Sequence, residues 1–423
     1  MKILYVSQYF PPEMGAPAAR TAELSRLWAN QWHQVNVLTG FPNHPTGVVP
    51  PDYRKQLRRL VVNERADGVH VTRTWLLPLP NRRSWERALN YSSFFLSAAA
   101  TGTFLPKADV VIGSSPQLLV GLSAWWISRW QGVPFVFEVR DLWPESLAAV
   151  GAGSPQSLLH RALSRVAGFL YRNSDHIVVV TRAFKTYLAE HWRVPPDKIS
   201  VVENGVDLRL FSPSNADAPI RQELNAEGKF IVSYIGTMGM AHGLETLLEA
   251  ARLLQIGSPR VLFLLIGEGA EKQHLVNLAK SQGLTNVRFV DQRSRERIPA
   301  YICASNACVV MLKKADLFKT VLPTKLLEFM SCARPVILAV DGEARRIMDE
   351  AGAGIFVEPQ NAADLAAAIV QLAGDPQLCS VLGSNGRDYV VSHFARQQTA
   401  ARYINVLEAV CRSRPAGGVA AAA

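Results

Sequence analysis

Cysteine is scarce in this chain. Cys303, Cys308, Cys332, Cys379 and Cys411 are odd in number and lack the paired spacing of a metal-ligand set. This excludes a disulfide-framed secreted scaffold and a structural zinc site, and the five read as reduced, mostly buried thiols. Long apolar runs are missing too. Ser92–Pro106 comes nearest and stops short of the roughly 20 residues a spanning helix needs. The N-terminus, Met-Lys-Ile-Leu-Tyr-Val, runs straight into a strand with no signal-peptide pattern, so a cytoplasmic protein is expected. No GxGxxG follows that strand. The loop there is Tyr9-Phe-Pro-Pro-Glu-Met-Gly-Ala-Pro, which argues against a dinucleotide-binding oxidoreductase. No carboxylate and histidine cluster has ligand spacing, so no metal is expected. Zinc-finger and RNA-binding signatures are absent, which argues against nucleic acid as a partner.

What is present is a folded composition, 48% hydrophobic and 19% charged, with length enough for two or three domains. The net charge of +10 is uneven: residues 1–212 hold 23 Lys/Arg against 15 Asp/Glu, and the rest hold 22 against 20. The excess peaks at Arg54-Lys-Gln-Leu-Arg-Arg59 and at Arg82, Arg83 and Arg87. Trp75, Trp85, the apolar Phe94–Leu105 and Ala124-Trp-Trp-Ile-Ser-Arg-Trp130 lie close by in the chain. Aromatics interleaved with arginine suit the headgroup layer of an anionic membrane. The same pattern also fits amphipathic helices packing on their own sheet.

The chain reads as two similar halves. Strands are predicted at Ile3–Ser7, Val35–Thr39, Val69–Trp75, Val110–Gly113, Phe135–Val139, Ile177–Thr181 and Ser200–Val202, with helices between most of them. A second series follows at Phe230–Ile235, Val261–Ile266, Val287–Val290, Ala307–Leu312 and Val336–Val340. This βα rhythm with unalternating apolar strands predicts parallel sheets covered by helices on both faces. The polar, proline-bearing stretch Phe211–Pro219 reads as a linker. The expected domains are therefore 1–212 and 213–394, with a helix near 395–413 able to pack back on the first and a tail, Pro415–Ala423, outside the fold. Two doubly wound α/β domains facing across a cleft would place ligands at the carboxyl ends of their strands.

The stretch Thr320–Ile337 carries the strongest chemical signal. Pro323 and Thr324 sit where a loop becomes a helix, with Thr324 as the expected N-cap. Lys325 lies on the first turn and Glu328 one turn on. A helix N-terminus beside a lysine suits a phosphate, and a carboxylate suits sugar hydroxyls, so the pair fits a nucleotide. A capped helix with solvated Lys and Glu would look the same. Two strand–glycine–helix junctions accompany it: Gly236-Thr237-Met-Gly239-Met-Ala-His242-Gly243, and Gly267-Glu268-Gly269. Glycine lets the backbone approach a ligand closely there, or merely turn.

In order, Pro11-Pro-Glu-Met-Gly15, Val202-Glu-Asn-Gly-Val-Asp207, Gly236…His242-Gly243, Ile266-Gly-Glu-Gly269, Pro323-Thr-Lys-Leu-Leu-Glu328…Arg334-Pro-Val336 and Gly352–Pro359 resemble the retaining glycosyltransferases of the two-domain GT-B type, family 4. Arg140-Asp-Leu-Trp-Pro-Glu-Ser146 and the Pro-Thr-Lys form of the main motif resemble the bacterial transferases of O-antigen and capsule assembly that move N-acetyl-L-fucosamine from UDP. The resemblance implies a GT-B α/β fold of two Rossmann-like domains and a hexosyltransferase-type enzyme. It further implies a nucleotide-sugar donor, a polyprenyl-diphosphate-linked or saccharide acceptor, and peripheral contact with the inner face of the cell membrane. On the donor side it implies Gly15, Gly236, Thr237, His242, Gly267, Glu268, Gly269, Thr324, Lys325, Leu326 and Glu328. Glu328 would take the ribose, and Lys325 with the backbone of Thr324 and Leu326 the diphosphate.

Three positions depart from the family pattern. Thr320 replaces the first of two glutamates, Thr237 and His242 replace an Arg and a Lys, and Arg140 replaces a histidine before Asp141. Diphosphate neutralisation then rests on Lys325, Arg140, His242 and helix dipoles. Asp141 and Glu145 are the carboxylates available for a double displacement; front-side attack is favoured because no unambiguous nucleophile stands out. A non-hydrolysing sugar-nucleotide epimerase and a non-catalytic membrane-surface scaffold are the rival readings.

Overall fold

The computed structural model describes residues 1–44, 47–79, 83–149, 156–214 and 217–413. Arg82, Asn215 and Ala216 of the linker, and the tail Pro415–Ala423 lie outside the described residues. The chain divides into two compact units, Met1–Glu203 with Gln397–Ala423, and Asn204–Arg396.

Among the described residues, the first unit holds eight strands: β1 (Lys2–Val6), β2 (Gln34–Gly40), β3 (Val61–Ala66), β4 (Val69–Thr74), β5 (Val110–Ser114), β6 (Phe135–Val139), β7 (His176–Val179) and β8 (Ile199–Val201). They are ordered β3-β4-β2-β1-β5-β6-β7-β8. All neighbours run parallel except β3 and β4, whose antiparallel pairing the sequence reading lacked. β3 is an edge strand, Val-Val-Asn-Glu-Arg-Ala, with no residue fully buried, so it offers no apolar run to recognise.

The second unit holds β9 (Phe230–Ile235), β10 (Val261–Ile266), β11 (Val287–Val290), β12 (Ala307–Met311), β13 (Val336–Ala339) and β14 (Gly354–Phe356). Their order is β11-β10-β9-β12-β13-β14, all parallel. β14, three residues long, is a further strand beyond those expected. Successive residues of β9 feed opposite faces, as a pleated strand requires. Ile231 and Ile235 join a core with Leu264, Leu326 and Phe329, whereas Val232 and Tyr234 join one with Met238, Leu247 and Leu265. In each sheet the winding reverses once, between β1 and β5 and between β9 and β12, and the crevice outside such a reversal is where doubly wound sheets bind ligands.

The unit boundaries differ from those expected. Val206 and Arg396 exchange backbone contacts (Val206 N to Phe394 O and Arg396 N to Val206 O, both 2.9 Å), and Ser331 Oγ donates to Phe211 O at 2.6 Å. Phe211 is fully buried in the second unit's core, so residues 204–212 belong there rather than to the first. The last helix, Arg396–Ser413, returns to the first unit. Trp28 Nε1 donates to Ala400 O at 3.0 Å, and Tyr403, Ile404 and Leu407 pack with Ile3, Tyr5 and Leu24.

Candidate functional site

In the second unit, the loop after β9 and the helix Thr324–Ser331 meet at the winding reversal. Tyr234, the penultimate residue of β9, donates its hydroxyl to Thr237 O at 2.6 Å and accepts from Lys325 Nζ at 3.0 Å. The ammonium also lies 4.1 Å from the centre of the Tyr234 ring. Gly236 has φ 146°, and a Cβ there would sit 2.7 Å from Lys325 Nζ, so glycine is what lets the lysine reach the turn. Burial pulls Lys325 down to about 7, only partly opposed by Glu328. His242 packs edge-on against Tyr234, its ring centre 5.9 Å away. Burial, with Lys325 and Lys313 nearby, lowers its pKa to about 3, and its buried Nδ1 takes no hydrogen bond among the described residues. His242 therefore brings no charge of its own at neutral pH.

Thr324 is the first helical residue rather than the N-cap; Pro323 caps the helix and supplies no side-chain bond. A proline N-cap leaves the first turn's N–H groups without a side-chain partner. Leu326 N is already turned back onto Pro323 O at 3.0 Å, so that amide is engaged. Glu328 Oε1 pairs with Arg295 at 3.2 Å, and the Arg295 guanidinium lies 5.0 Å from the Phe211 ring centre. Gly267 and Gly269 serve the packing of two loops on each other. Cβ atoms there would come within 2.0 Å of Gly236 O and 2.2 Å of Met238 O, while Met238 N donates to Glu268 O at 2.9 Å. The Glu268 side chain is held by Lys272 at 2.5 Å, and Lys272 also reaches Asp291 at 2.6 Å.

In the first unit, Gly15 (φ 137°) precedes the helix Ala16–Asn30, and the guanidinium of Arg140 donates to Ala16 O (3.0 Å) and Pro17 O (3.3 Å) of that helix. Asp141 accepts from Ser146 Oγ and from Trp143 Nε1, and burial raises its carboxyl pKa. Both features suit a turn-holding carboxylate better than an ionised nucleophile. Glu145 accepts from Tyr187 Oη at 2.9 Å, and its buried Oε2 takes no hydrogen bond among the described residues.

A polar chain that the sequence reading passed over lies at the carboxyl edge of the same sheet: Gln117 to Gln8 (2.7 Å), Gln8 to Asn90 (2.6 Å) and Asn90 to Asn43 (3.1 Å), all four buried. Glu13 Oε1 accepts from the backbone of Asn43 and His44, both at 2.9 Å, and burial pushes its carboxyl up to about 7. Glu13 stood inside a quoted motif, but only the fold shows that its carboxylate is buried. Tyr234 and Arg295 were equally silent in the sequence, the one hidden as a strand residue and the other far from its partner along the chain.

Folding also assembles three possible metal ligands that no local spacing announced. Ligand atoms of Glu245, Glu271 and His274 lie within 4.8 Å of one another. Glu271 and His274 stand only three residues apart, but a pair is not a ligand set, and the third member, Glu245, comes from a different helix.

Family models match both halves: "Glycosyl transferase 4-like domain" over residues 15–205 and "Glycosyl transferases group 1" over residues 216–389. The chain belongs to the GT-B glycosyltransferases of family 4 and is a transferase enzyme. A protein of Escherichia coli K12 named as a colanic acid biosynthesis glycosyl transferase, WcaI, is 25% identical over 96% of this chain and 99% of its own. The D-inositol 3-phosphate glycosyltransferase of Salinispora arenicola is 25% identical over 84% of this chain and 81% of its own. Among solved structures, sucrose-phosphate synthase from Thermosynechococcus elongatus superposes with a TM-score of 0.77 at 22% identity, covering 98% of this chain and 100% of that one. Anabaena Alr3699/HepE in complex with UDP-glucose gives 0.73 at 18% identity, covering 97% and 100%.

Proposed function

We propose that the protein transfers a sugar, with retention, from a nucleotide-sugar bound in the second unit to a saccharide or polyprenyl-diphosphate-linked acceptor in surface-polysaccharide assembly. The observation that carries the donor assignment is Lys325. It sits on the first turn of a helix whose N-terminus opens at the winding reversal, and its Nζ is held against the Gly236 turn. A diphosphate there meets the lysine and the positive end of the helix dipole, and Glu328 takes the ribose hydroxyls. The HepE complexes with UDP and UDP-glucose support a uridine nucleotide, and the WcaI name supports polysaccharide assembly. An N-acetylated 6-deoxyhexose is the sugar proposed, on the Arg140–Ser146 resemblance.

Chemically, front-side displacement fits these residues. The bond from the anomeric carbon to the diphosphate oxygen breaks as the acceptor oxygen attacks the same face, and the departing phosphate takes the acceptor proton. Lys325 and the helix N-terminus stabilise the charge that develops on the diphosphate. Asp141, held by Ser146 and Trp143, orders the loop and makes no covalent bond.

At the membrane, Trp85 (53% exposed), Leu89, Leu96, Phe104 (90%), Trp126 and Trp130 stand out on the helices Ser84–Thr103 and Leu118–Gln131 and the turn after the first. No single described helix is long and apolar enough to cross a membrane. With Arg83 and Arg87, these side chains suit peripheral attachment to an anionic leaflet.

A titrated panel of UDP-, GDP- and dTDP-sugars tests the reading. One donor is expected to bind, and its sugar to reach an added acceptor with the anomeric configuration kept and with EDTA leaving the rate near its untreated value. Conversion of the free donor to its epimer without acceptor would instead establish the epimerase reading. Loss of activity in EDTA that Mg²⁺ or Mn²⁺ restores would overturn the metal-free mechanism.

A further inference from the structure

We infer that Tyr234 is a positioning residue of the donor site, holding Lys325 Nζ against the Gly236 turn so that the diphosphate meets a preorganised ammonium. This rests on the donor-site reading above. One hydroxyl ties three segments together. It lies at the end of β9, donates to Thr237 O at 2.6 Å in the following loop, and accepts from Lys325 Nζ at 3.0 Å on the first turn of the helix Thr324–Ser331. The same ammonium lies over the ring, 4.1 Å from its centre, a cation–π contact that constrains it from a second direction. Lysine has a long flexible stem, and a free ammonium would lose rotamer entropy on meeting an anion. Here Tyr234 and Gly236 remove that freedom beforehand, which is how preorganisation raises affinity.

The local composition explains the need. His242 and Thr237 stand where the family pattern has a Lys and an Arg, and His242 is uncharged, so the turn has lost two cations. The groups that bear on Lys325 are Tyr234 from β9, His242 from the loop after it and Glu328 one turn along its own helix, while Lys313, from the loop after β12, bears on His242. Glu328 is partly engaged by Arg295 at 3.2 Å. Tyr234 is therefore the neutral group that accepts directly from the ammonium.

The Tyr234 hydroxyl also bears on protonation. By accepting from Nζ it favours the charged form of Lys325, against the burial that disfavours it. Removing the hydroxyl shifts Lys325 toward the neutral amine, so affinity for a diphosphate falls away at a lower pH.

The test uses the full chain and whichever of UDP, GDP and dTDP binds the wild type most tightly. Tyr234→Phe keeps the ring and removes the hydroxyl. Its Kd is expected to rise about tenfold near pH 7.5, the scale of one hydrogen bond to a charged group, with the pH at which affinity declines displaced downward. Tyr234→Leu, which also loses the ring, is expected to bind more weakly still. In a Lys325→Ala background, Tyr234→Phe is expected to add little, because the two act as one unit. Thermal unfolding of each variant separates a folding defect from a binding one: a merely structural tyrosine would lower Tm and leave the pH midpoint in place. Wild-type affinity and pH dependence in Tyr234→Phe would overturn the inference while Lys325→Ala still bound weakly. Nucleotide binding by Lys325→Ala as tight as wild type would remove the donor-site reading, and the inference with it.

Discussion

At the scale of single residues, the proposed donor site rests on a lysine kept short of its charge. Burial holds Lys325 at about 7, and His242 at about 3 is neutral across the working range. An arriving diphosphate favours the ammonium and raises the lysine's pKa. Between the free and the bound value the complex holds more protons than its separate parts. Binding therefore takes up protons, and affinity falls by up to about tenfold per pH unit as pH rises above 7. Calorimetry of UDP at pH 8 in buffers of different ionisation enthalpy is expected to show uptake approaching one proton. Release of protons, or no buffer dependence, would contradict this. The depressed value also acts on folding. The unfolded lysine holds its proton up to its ordinary pKa of 10.5 and the folded one only to about 7, so this residue's contribution to stability rises with pH through that window.

At the scale of elements, the glycine junctions differ in what they do. Gly236 admits the lysine, whereas Gly269 admits a neighbouring loop: its Cβ would meet Met238 O at 2.2 Å, and its φ is 158°. Gly269→Ala is expected to destabilise the protein by about 1–3 kcal/mol through strain and overpacking. Gly257 ends the helix Glu245–Gly257 with nothing within 4 Å of a Cβ. Gly257→Ala is expected to change stability slightly upward, by about 0.4–1 kcal/mol. Urea denaturation of the two variants checks the contrast, and equal effects would mean that the loops do not pack as described. The sequence could not separate Gly236 from Gly269, because both follow an apolar strand and precede a helix.

The strands themselves were largely legible. Phe230–Ile235, Val261–Ile266 and Val287–Val290 stand where their apolar runs lie. β3 and β14 were not, since one is an exposed edge and the other only three residues long. In the site, Lys325, Glu328 and the glycines could be named from their order along the chain. Tyr234, Arg295 and the buried Glu13 network could not, because their partners come from segments distant in sequence.

At the scale of the whole molecule, charge is concentrated in residues 1–212, and exposed aromatics stand on two helices of the first unit. Each basic side chain near an anionic leaflet adds about 1 kcal/mol, screened by salt. Replacing Arg83 and Arg87 by Glu together with Trp85 by Ser is expected to release the protein from phosphatidylserine-containing liposomes at low salt while leaving UDP affinity unchanged. Wild-type protein that stays in the bottom fraction of a liposome flotation assay would contradict membrane attachment. The second unit, Asn204–Arg396, holds 20 Lys/Arg against 20 Asp/Glu and has no excess.

The central claim is that the turn after β9 and the helix Thr324–Ser331 bind the two ends of a nucleoside diphosphate with different side chains. Paired titrations of Lys325→Ala and Glu328→Gln with UDP and with inorganic diphosphate test it most directly. Each lost contact to a charged group is worth about 1.5–3 kcal/mol, or tenfold and more in Kd. Lys325→Ala is expected to weaken both ligands, and Glu328→Gln to weaken UDP while hardly changing diphosphate. Variants that bind UDP as the wild type does would place the donor elsewhere.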